Sequence, residues 1–247
     1  MSRIVSENIK TPDGHLLHYD LYSRGHDKLI IIAPGFFNSK GALLMKDLAE
    51  DIIDSYDALI LDFRGHGQSK QLFTWTSREY LDLLTLFEFA RSRRYRKIGL
   101  IGFSLGGASS LIAASKSDAV DSIVAVSAPA EFWKIEYFFW QLNLGLDIHY
   151  SLLSEGRIGK GVRPGPFWLP KEKPKDAVKK INRPIFYIHG TDDWLIKPWH
   201  SEVLFKETLH PVKKIEITLG APHAEYMMKT HRGEFVKKIK DWFKETI

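Results

Sequence analysis

The 247-residue chain contains no cysteine. Disulfides, thiol nucleophiles and thiolate metal sites are therefore excluded. Long apolar runs are missing as well: no window approaches the ~18–20 uninterrupted apolar residues of a membrane-spanning helix. The opening residues, Met1-Ser2-Arg3-Ile4-Val5-Ser6-Glu7, lack the apolar stretch of a signal peptide. A soluble, cytoplasmic protein is the expectation. Ten histidines are present, but none falls in H-E-x-x-H or a comparable ligand spacing, so neither a metal nor another cofactor is expected. Internal repeats and low-complexity tracts are also lacking.

What is present suits one large domain. The chain is 44% hydrophobic and 26% charged, enough apolar material for a sizeable core. Its net charge is +5, with basic clusters at 91–97, 171–180 and 237–240. Each cluster falls at a helix end, in a loop or on a helix face, where cations favour the C-terminal dipole or simply meet solvent. No nucleic-acid recognition motif accompanies them, and no nucleic-acid partner is expected.

Strand-like and helix-like segments alternate, which predicts an α/β fold with a mostly parallel sheet between helices. Residues 3–10 and 15–22, joined by Thr11-Pro12-Asp13-Gly14, predict an antiparallel hairpin at one edge. Apolar runs at 29–33, 58–62, 98–102, 123–126, 185–188 and 215–217 predict the buried strands. Helices are expected at about 41–54, 78–92, 105–116, 199–209 and 226–245. For the second, Thr76-Ser77-Arg78-Glu79 reads as a capping box. Residues 130–178 break the alternation. They hold Phe132, Trp133, Tyr137, Phe138, Phe139, Trp140, Phe167 and Trp168 and predict an inserted helical cap, since so long a connection is rarely structureless. The core domain is then 1–129 with 179–247.

The strongest chemical signal is Gly102-Phe103-Ser104-Leu105-Gly106, a G-x-S-x-G sequence between an apolar strand and a helix that starts with small residues. A strand-to-helix turn this sharp strains the serine backbone and leaves no room for side chains at the flanking positions. A serine hydroxyl needs a base in reach and a carboxylate to orient that base. His223 follows the last strand in a short loop, where an open α/β sheet builds its site. The other histidines considered have duller places: His66 in a turn, His15 and His18 on the hairpin, and His200, His210 and His231 on or beside outer helices. The acid should come from Gly190-Thr191-Asp192-Asp193, whose two aspartates chemistry alone does not separate. Two backbone N–H groups should face the developing negative charge. Leu105, directly after the serine, supplies one, and Phe36 in the loop Pro34-Gly35-Phe36-Phe37 is the choice for the other.

These motifs, together with Asp62-Phe63-Arg64-Gly65-His66-Gly67-Gln68-Ser69, resemble the α/β-hydrolase fold superfamily, of the esterase/lysophospholipase-like serine-hydrolase type, over nearly the whole chain outside the cap. The resemblance implies a Ser104–Asp193–His223 triad, because the family's acid lies three residues after the glycine. It also implies that the Asp62–Ser69 segment shapes a loop near the site without reacting. Where the family often has His-Gly in the oxyanion loop, this chain has Pro34-Gly35. The implied activity is cleavage of carboxylic esters through an acyl-enzyme. Thioester, lysophospholipid, peptide or acyl-transfer chemistry on the same triad, or a non-catalytic binding module, are the alternatives. Phe37, Phe103, Trp133, Phe138 and Trp194 are the candidate lining of the substrate pocket. The expected partner is a small-molecule acyl ester, bound by a monomer or homodimer. The polar residues interleaved in the stretch around Phe138, Phe139 and Trp140, and its reading as a single short helix, argue against stable membrane association.

Overall fold

Runs such as Leu29–Ala33 offer no polar face, so a sheet built from them must be covered on both sides. The computed structural model describes residues 3–136 and 162–247 and has that arrangement. Among the described residues, β1 (Arg3–Lys10), β2 (Leu16–Ser23), β3 (Lys28–Ala33), β4 (Asp57–Asp62), β5 (Lys97–Phe103), β6 (Ser122–Val126), β7 (Ile185–Gly190) and β8 (Lys213–Thr218) form one sheet. Its order is β1-β2-β4-β3-β5-β6-β7-β8. β1 and β2 form the predicted edge hairpin, and β2 joins β4 antiparallel. Every pairing from β4 through β8 is parallel.

The helices are α1 (Leu43–Ile52), α2 (Glu79–Ser92), α3 (Leu105–Ala114), α4 (Pro174–Ala177), α5 (Trp199–Glu207), α6 (Met227–Thr230) and α7 (Arg232–Thr246). Strand alternation divides the core between them. Leu29, Ile31 and Ala33 pack with Leu83 and Leu86 of α2, Leu111 of α3 and Leu204 of α5. Ile30 and Ile32 pack on the other side with Leu48 of α1 and Phe235 and Ile239 of α7. Burying each such side chain contributes roughly 1.5–3 kcal/mol.

Two local expectations are corrected. Thr76 does not cap α2; it lies at φ +75°. The N-cap position is Arg78, without a side-chain capping bond; its N–H donates to Thr74 Oγ1 at 3.0 Å, while the Glu79 carboxylate accepts Thr74 N–H at 2.6 Å. The last helix is broken at His231 (φ −130°, ψ 25°), which separates α6 from α7.

Of the predicted cap, residues 137–161 lie outside the described residues. On one flank Phe132–Lys134 makes a single 3-10 turn. On the other, 162–165 is stitched onto the loop after β4. Arg163 N–H donates to Gly65 O at 2.7 Å, Phe73 N–H to Arg163 O at 2.9 Å and Gly165 N–H to Phe73 O at 2.8 Å. Among the described residues no helix is long and apolar enough to cross a membrane.

Candidate active site

Parallel strands carry their following loops to one edge of the sheet, and the loops after β3, β4, β5, β6, β7 and β8 meet here. Ser104 sits between β5 and α3 at φ 51°, ψ −123°, a conformation L-residues rarely adopt. The residues two before and two after it must be glycine for steric reasons. A Cβ on Gly106 would lie 2.1 Å from Pro34 O, and one on Gly102 would lie 2.6 Å from Gly107 Cα. Gly106→Ala therefore forces two backbone segments apart. The variant is expected to lose roughly 1–3 kcal/mol of stability or more, read from urea denaturation. An unchanged midpoint would contradict the packing described.

His223, after β8, reaches both ways. Its Nε2 is 3.0 Å from Ser104 Oγ and its Nδ1 is 2.7 Å from Asp193 Oδ2. Asp193 is an acceptor, so Nδ1 carries the proton and Nε2 is left to accept from the serine hydroxyl. The adjacent Asp192 is exposed, and among the described residues its carboxylate takes the Thr191 hydroxyl, at 2.9 Å. The loop holding His223 is itself anchored: Ala224, at φ 46°, donates its N–H to Ser127 Oγ at 3.0 Å, and Ser127 stands at φ 48° after β6. Strained residues from three loops thus surround one point, as functional sites often require.

Asp193 is fully buried. Burial works against its charge, but the neighbouring His223 and hydrogen bonds from His189 and His223 outweigh it, holding the carboxyl well below the usual range. Leu195 and Ile196 N–H groups donate to Oδ1 at 3.0 and 2.8 Å. His189 was not singled out in the sequence. It is fully buried, its Nε2 lies 2.7 Å from Ile196 O and 3.2 Å from Asp193 Oδ2, and its Nδ1 lies 2.6 Å from Ser201 Oγ. A histidine inside an otherwise apolar strand, four residues before the acid, was the available signal.

The loop after β3 crosses the serine closely: a Cβ on Gly35 would sit 3.2 Å from Ser104 Cβ. Asn38 N–H donates to Gly35 O at 3.2 Å, closing a turn with Phe36 and Phe37 at its centre. The Asn38 amide also donates to Glu225 Oε1, tying this loop to the one that holds His223. Leu105 opens α3, so its N–H has no acceptor within the helix.

A family model described as alpha/beta hydrolase fold matches residues 28–145. The chain has the α/β-hydrolase fold. It is similar to the esterase Pf2001 of Pyrococcus furiosus, at 22% identity, 99% coverage of this chain, 93% of that chain and a TM-score of 0.81. It is also similar to Est1E of Butyrivibrio proteoclasticus, solved with ferulic acid bound, at 19% identity, 97% and 98% coverage and a TM-score of 0.71. A third is the esterase domain of a Rhodothermus marinus protein, at 20% identity, 96% coverage of both chains and a TM-score of 0.67.

Within this hydrolase fold the Asp62–Ser69 segment is held by its own side chains. Asp62 accepts N–H groups of Lys40 and Gln68, both at 2.8 Å, and Ser69 Oγ donates to Asp62 O at 2.7 Å. Buried Arg64 pairs with Asp82 at 2.6 Å and Asp13 at 2.9 Å. His66, read from the sequence as a turn residue, is buried and meets the loop after β3: Phe37 N–H donates to its Nε2 at 3.3 Å. Burial pushes its imidazole from 6.5 down to about 4. Between those values the unfolded chain binds a proton that the folded protein does not, so acid favours unfolding. The stabilisation is complete above pH 6.5 and lost as pH falls towards 4. Relative to His66→Gln, the wild type is expected to lose up to ~1.4 kcal/mol per pH unit across that window. Urea titrations of both proteins at pH 7 and 4.5 read this, and parallel pH dependences would contradict it.

The expected pocket residues divide. Phe37 is half-buried at φ 66°, its ring 4.2 Å from that of Phe36. Trp194 is half-buried, its ring centre 6.4 Å from that of His223. Trp133 is 53% exposed and lies 6.3 Å from Phe167, farther out along a line of rings. Phe138 lies outside the described residues. Phe103 is corrected: it is fully buried against Phe235. It follows Ile101 by two along β5, so both point into the layer under α1 and α7. His200, expected on an outer helix, is likewise fully buried and accepts Ala130 N–H at 3.0 Å.

Proposed function

We propose that the protein is a serine hydrolase that cleaves carboxylic esters, with Ser104 as nucleophile, His223 as general base and Asp193 as the group that orients it. The observation that carries this reading is the unbroken hydrogen-bond chain from Ser104 Oγ through His223 to Asp193, at 3.0 and 2.7 Å. Ser104 Oγ attacks the acyl carbonyl as His223 Nε2 takes its proton. The N–H groups of Phe36 and Leu105 receive the charge on the carbonyl oxygen. His223 then returns the proton to the leaving alcohol, giving an acyl-serine. Water, deprotonated by the same nitrogen, attacks the acyl group and releases the acid, and the proton passes back to Ser104.

An ester substrate is favoured over the other acyl classes by the solved structures of similar fold that are named esterases. The half-buried rings of Phe36, Phe37 and Trp194 support an apolar acyl or alcohol group beside the reacting carbon. Initial rates on p-nitrophenyl esters from acetate to palmitate test the reading. A rate that depends on Ser104 and peaks at short or medium chains is expected. A peak at long chains would move the substrate class to lipids, and no Ser104-dependent rate on any chain would end the ester proposal.

A further inference from the structure

The turn Gly35–Asn38 has an unusual occupant. Phe37 is its second central residue and stands at φ 66°, whereas Phe36 is not in the positive-φ region. That combination is the type II pattern, whose second central position ordinarily belongs to glycine. A phenylalanine there costs free energy that the surroundings must offset. Turning over the peptide between Phe36 and Phe37 would give the type I form, which suits phenylalanine better. The group that opposes this turnover is His66. Its Nε2 accepts Phe37 N–H at 3.3 Å, and its Nδ1 lies 3.3 Å from the carbonyl of Arg64, which can only accept. Nδ1 therefore carries the proton and Nε2 is an obligate acceptor. The ring is wedged between Phe73 at 4.7 Å and Phe36 at 6.0 Å, so it has no room to turn away. Both nitrogens are engaged by backbone, which removes His66 from any proton transfer. If the peptide turned over, the Phe36 carbonyl would face the acceptor lone pair of Nε2, a repulsive arrangement.

We propose that His66 is a positioning residue of the oxyanion loop: by accepting Phe37 N–H it anchors the Gly35–Asn38 turn, and Phe36 with it, where that turn passes closely over Ser104. The inference rests on the serine-hydrolase reading above. It assigns to one side chain of the Asp62–Ser69 segment a part in the reaction, exercised through the loop and not through contact with substrate.

The test compares His66→Gln, whose amide oxygen can take the place of Nε2, with His66→Met, of similar length but without a useful acceptor. Thermal midpoints establish that each is folded. On p-nitrophenyl butyrate His66→Met is expected to lose roughly 10–100-fold in kcat with KM within about threefold, less than the ~10²–10³ of deleting an oxyanion donor outright. The rate of labelling by a fluorophosphonate, which also develops charge on that oxygen, should fall by a similar factor. His66→Gln should stay within about fivefold of wild type. Adding Phe37→Gly to His66→Met should recover part of the kcat, since glycine adopts a positive φ without an anchor.

A His66→Met kcat within twofold of wild type, a loss confined to KM, or a His66→Gln variant as slow as His66→Met would each overturn the proposal. Should His66→Met not fold, His66→Asn replaces it: the shorter amide does not reach Phe37 N–H, and activity equal to that of His66→Gln overturns the idea. A wild type with no Ser104-dependent turnover or labelling would instead defeat the hydrolase reading, and this inference with it.

Discussion

Ser104→Ala is expected to lower kcat on p-nitrophenyl butyrate by about 10⁵–10⁶-fold and to abolish fluorophosphonate labelling. The size follows from what the substitution removes. Without Oγ there is no acyl-enzyme, and His223 has no hydroxyl at 3.0 Å from which to take a proton. The rest of the proposed site remains, so a residual acceleration over water from the oxyanion donors and binding is expected, as serine triads show. Ser104 is only 4% exposed and alanine is smaller, so the fold should persist. Circular dichroism and the thermal midpoint separate lost chemistry from lost structure. A folded Ser104→Ala protein retaining more than about a tenth of wild-type kcat would end the nucleophile assignment.

Asp193→Asn should cost about 10³–10⁴-fold in kcat, while Asp192→Asn should stay within about threefold of wild type. The asymmetry rests on geometry. Asp193 receives four N–H groups: Leu195 and Ile196 on Oδ1, and His223 and His189 on Oδ2. An asparagine there keeps the volume, but its amide is a dipole with a donor end. The two backbone donors on the Oδ1 side hold the amide oxygen there, which turns the NH₂ towards His223 Nδ1. The imidazole then protonates on Nε2, the nitrogen that must accept from Ser104, and catalysis falls through the wrong tautomer. His189 meets the same donor end, so some loss of stability should accompany the loss of rate. Asp192, exposed and bonded to Thr191, reaches none of these groups. Equal losses in the two variants, or a larger loss in Asp192→Asn, would reassign the acid.

How much of this was legible beforehand depends on the range of the interaction concerned. The strand runs at 29–33, 98–102 and 123–126 and the hairpin at 3–22 are local patterns, and each appears within a residue or two of its expected bounds. The capping of α2 failed on the same scale. Thr76 has the residue type of a cap, but the chain before Arg78 turns through positive φ at both Trp75 and Thr76. That presents Thr74 to the helix instead. A residue type signals a cap only if the backbone delivers it. Phe103 failed for the opposite reason: its neighbour Ser104 is at the site, yet alternation along β5 points its ring into the core. Parity with Ile101 would have corrected it.

By itself the sequence determined the layered α/β architecture and the place of the nucleophile turn, because hydrophobic period and glycine sterics act between near neighbours. It also narrowed the proposed base to His223 and the proposed acid to one of two aspartates. Tertiary structure alone decided that Asp193 faces His223 while Asp192 faces solvent, that His189 supports the acid, and that His66 meets a loop twenty-nine residues away in sequence. Those facts depend on which buried donor finds which acceptor once separate strand ends converge. Convergence is a property of the packed sheet, and no residue carries it in its immediate sequence.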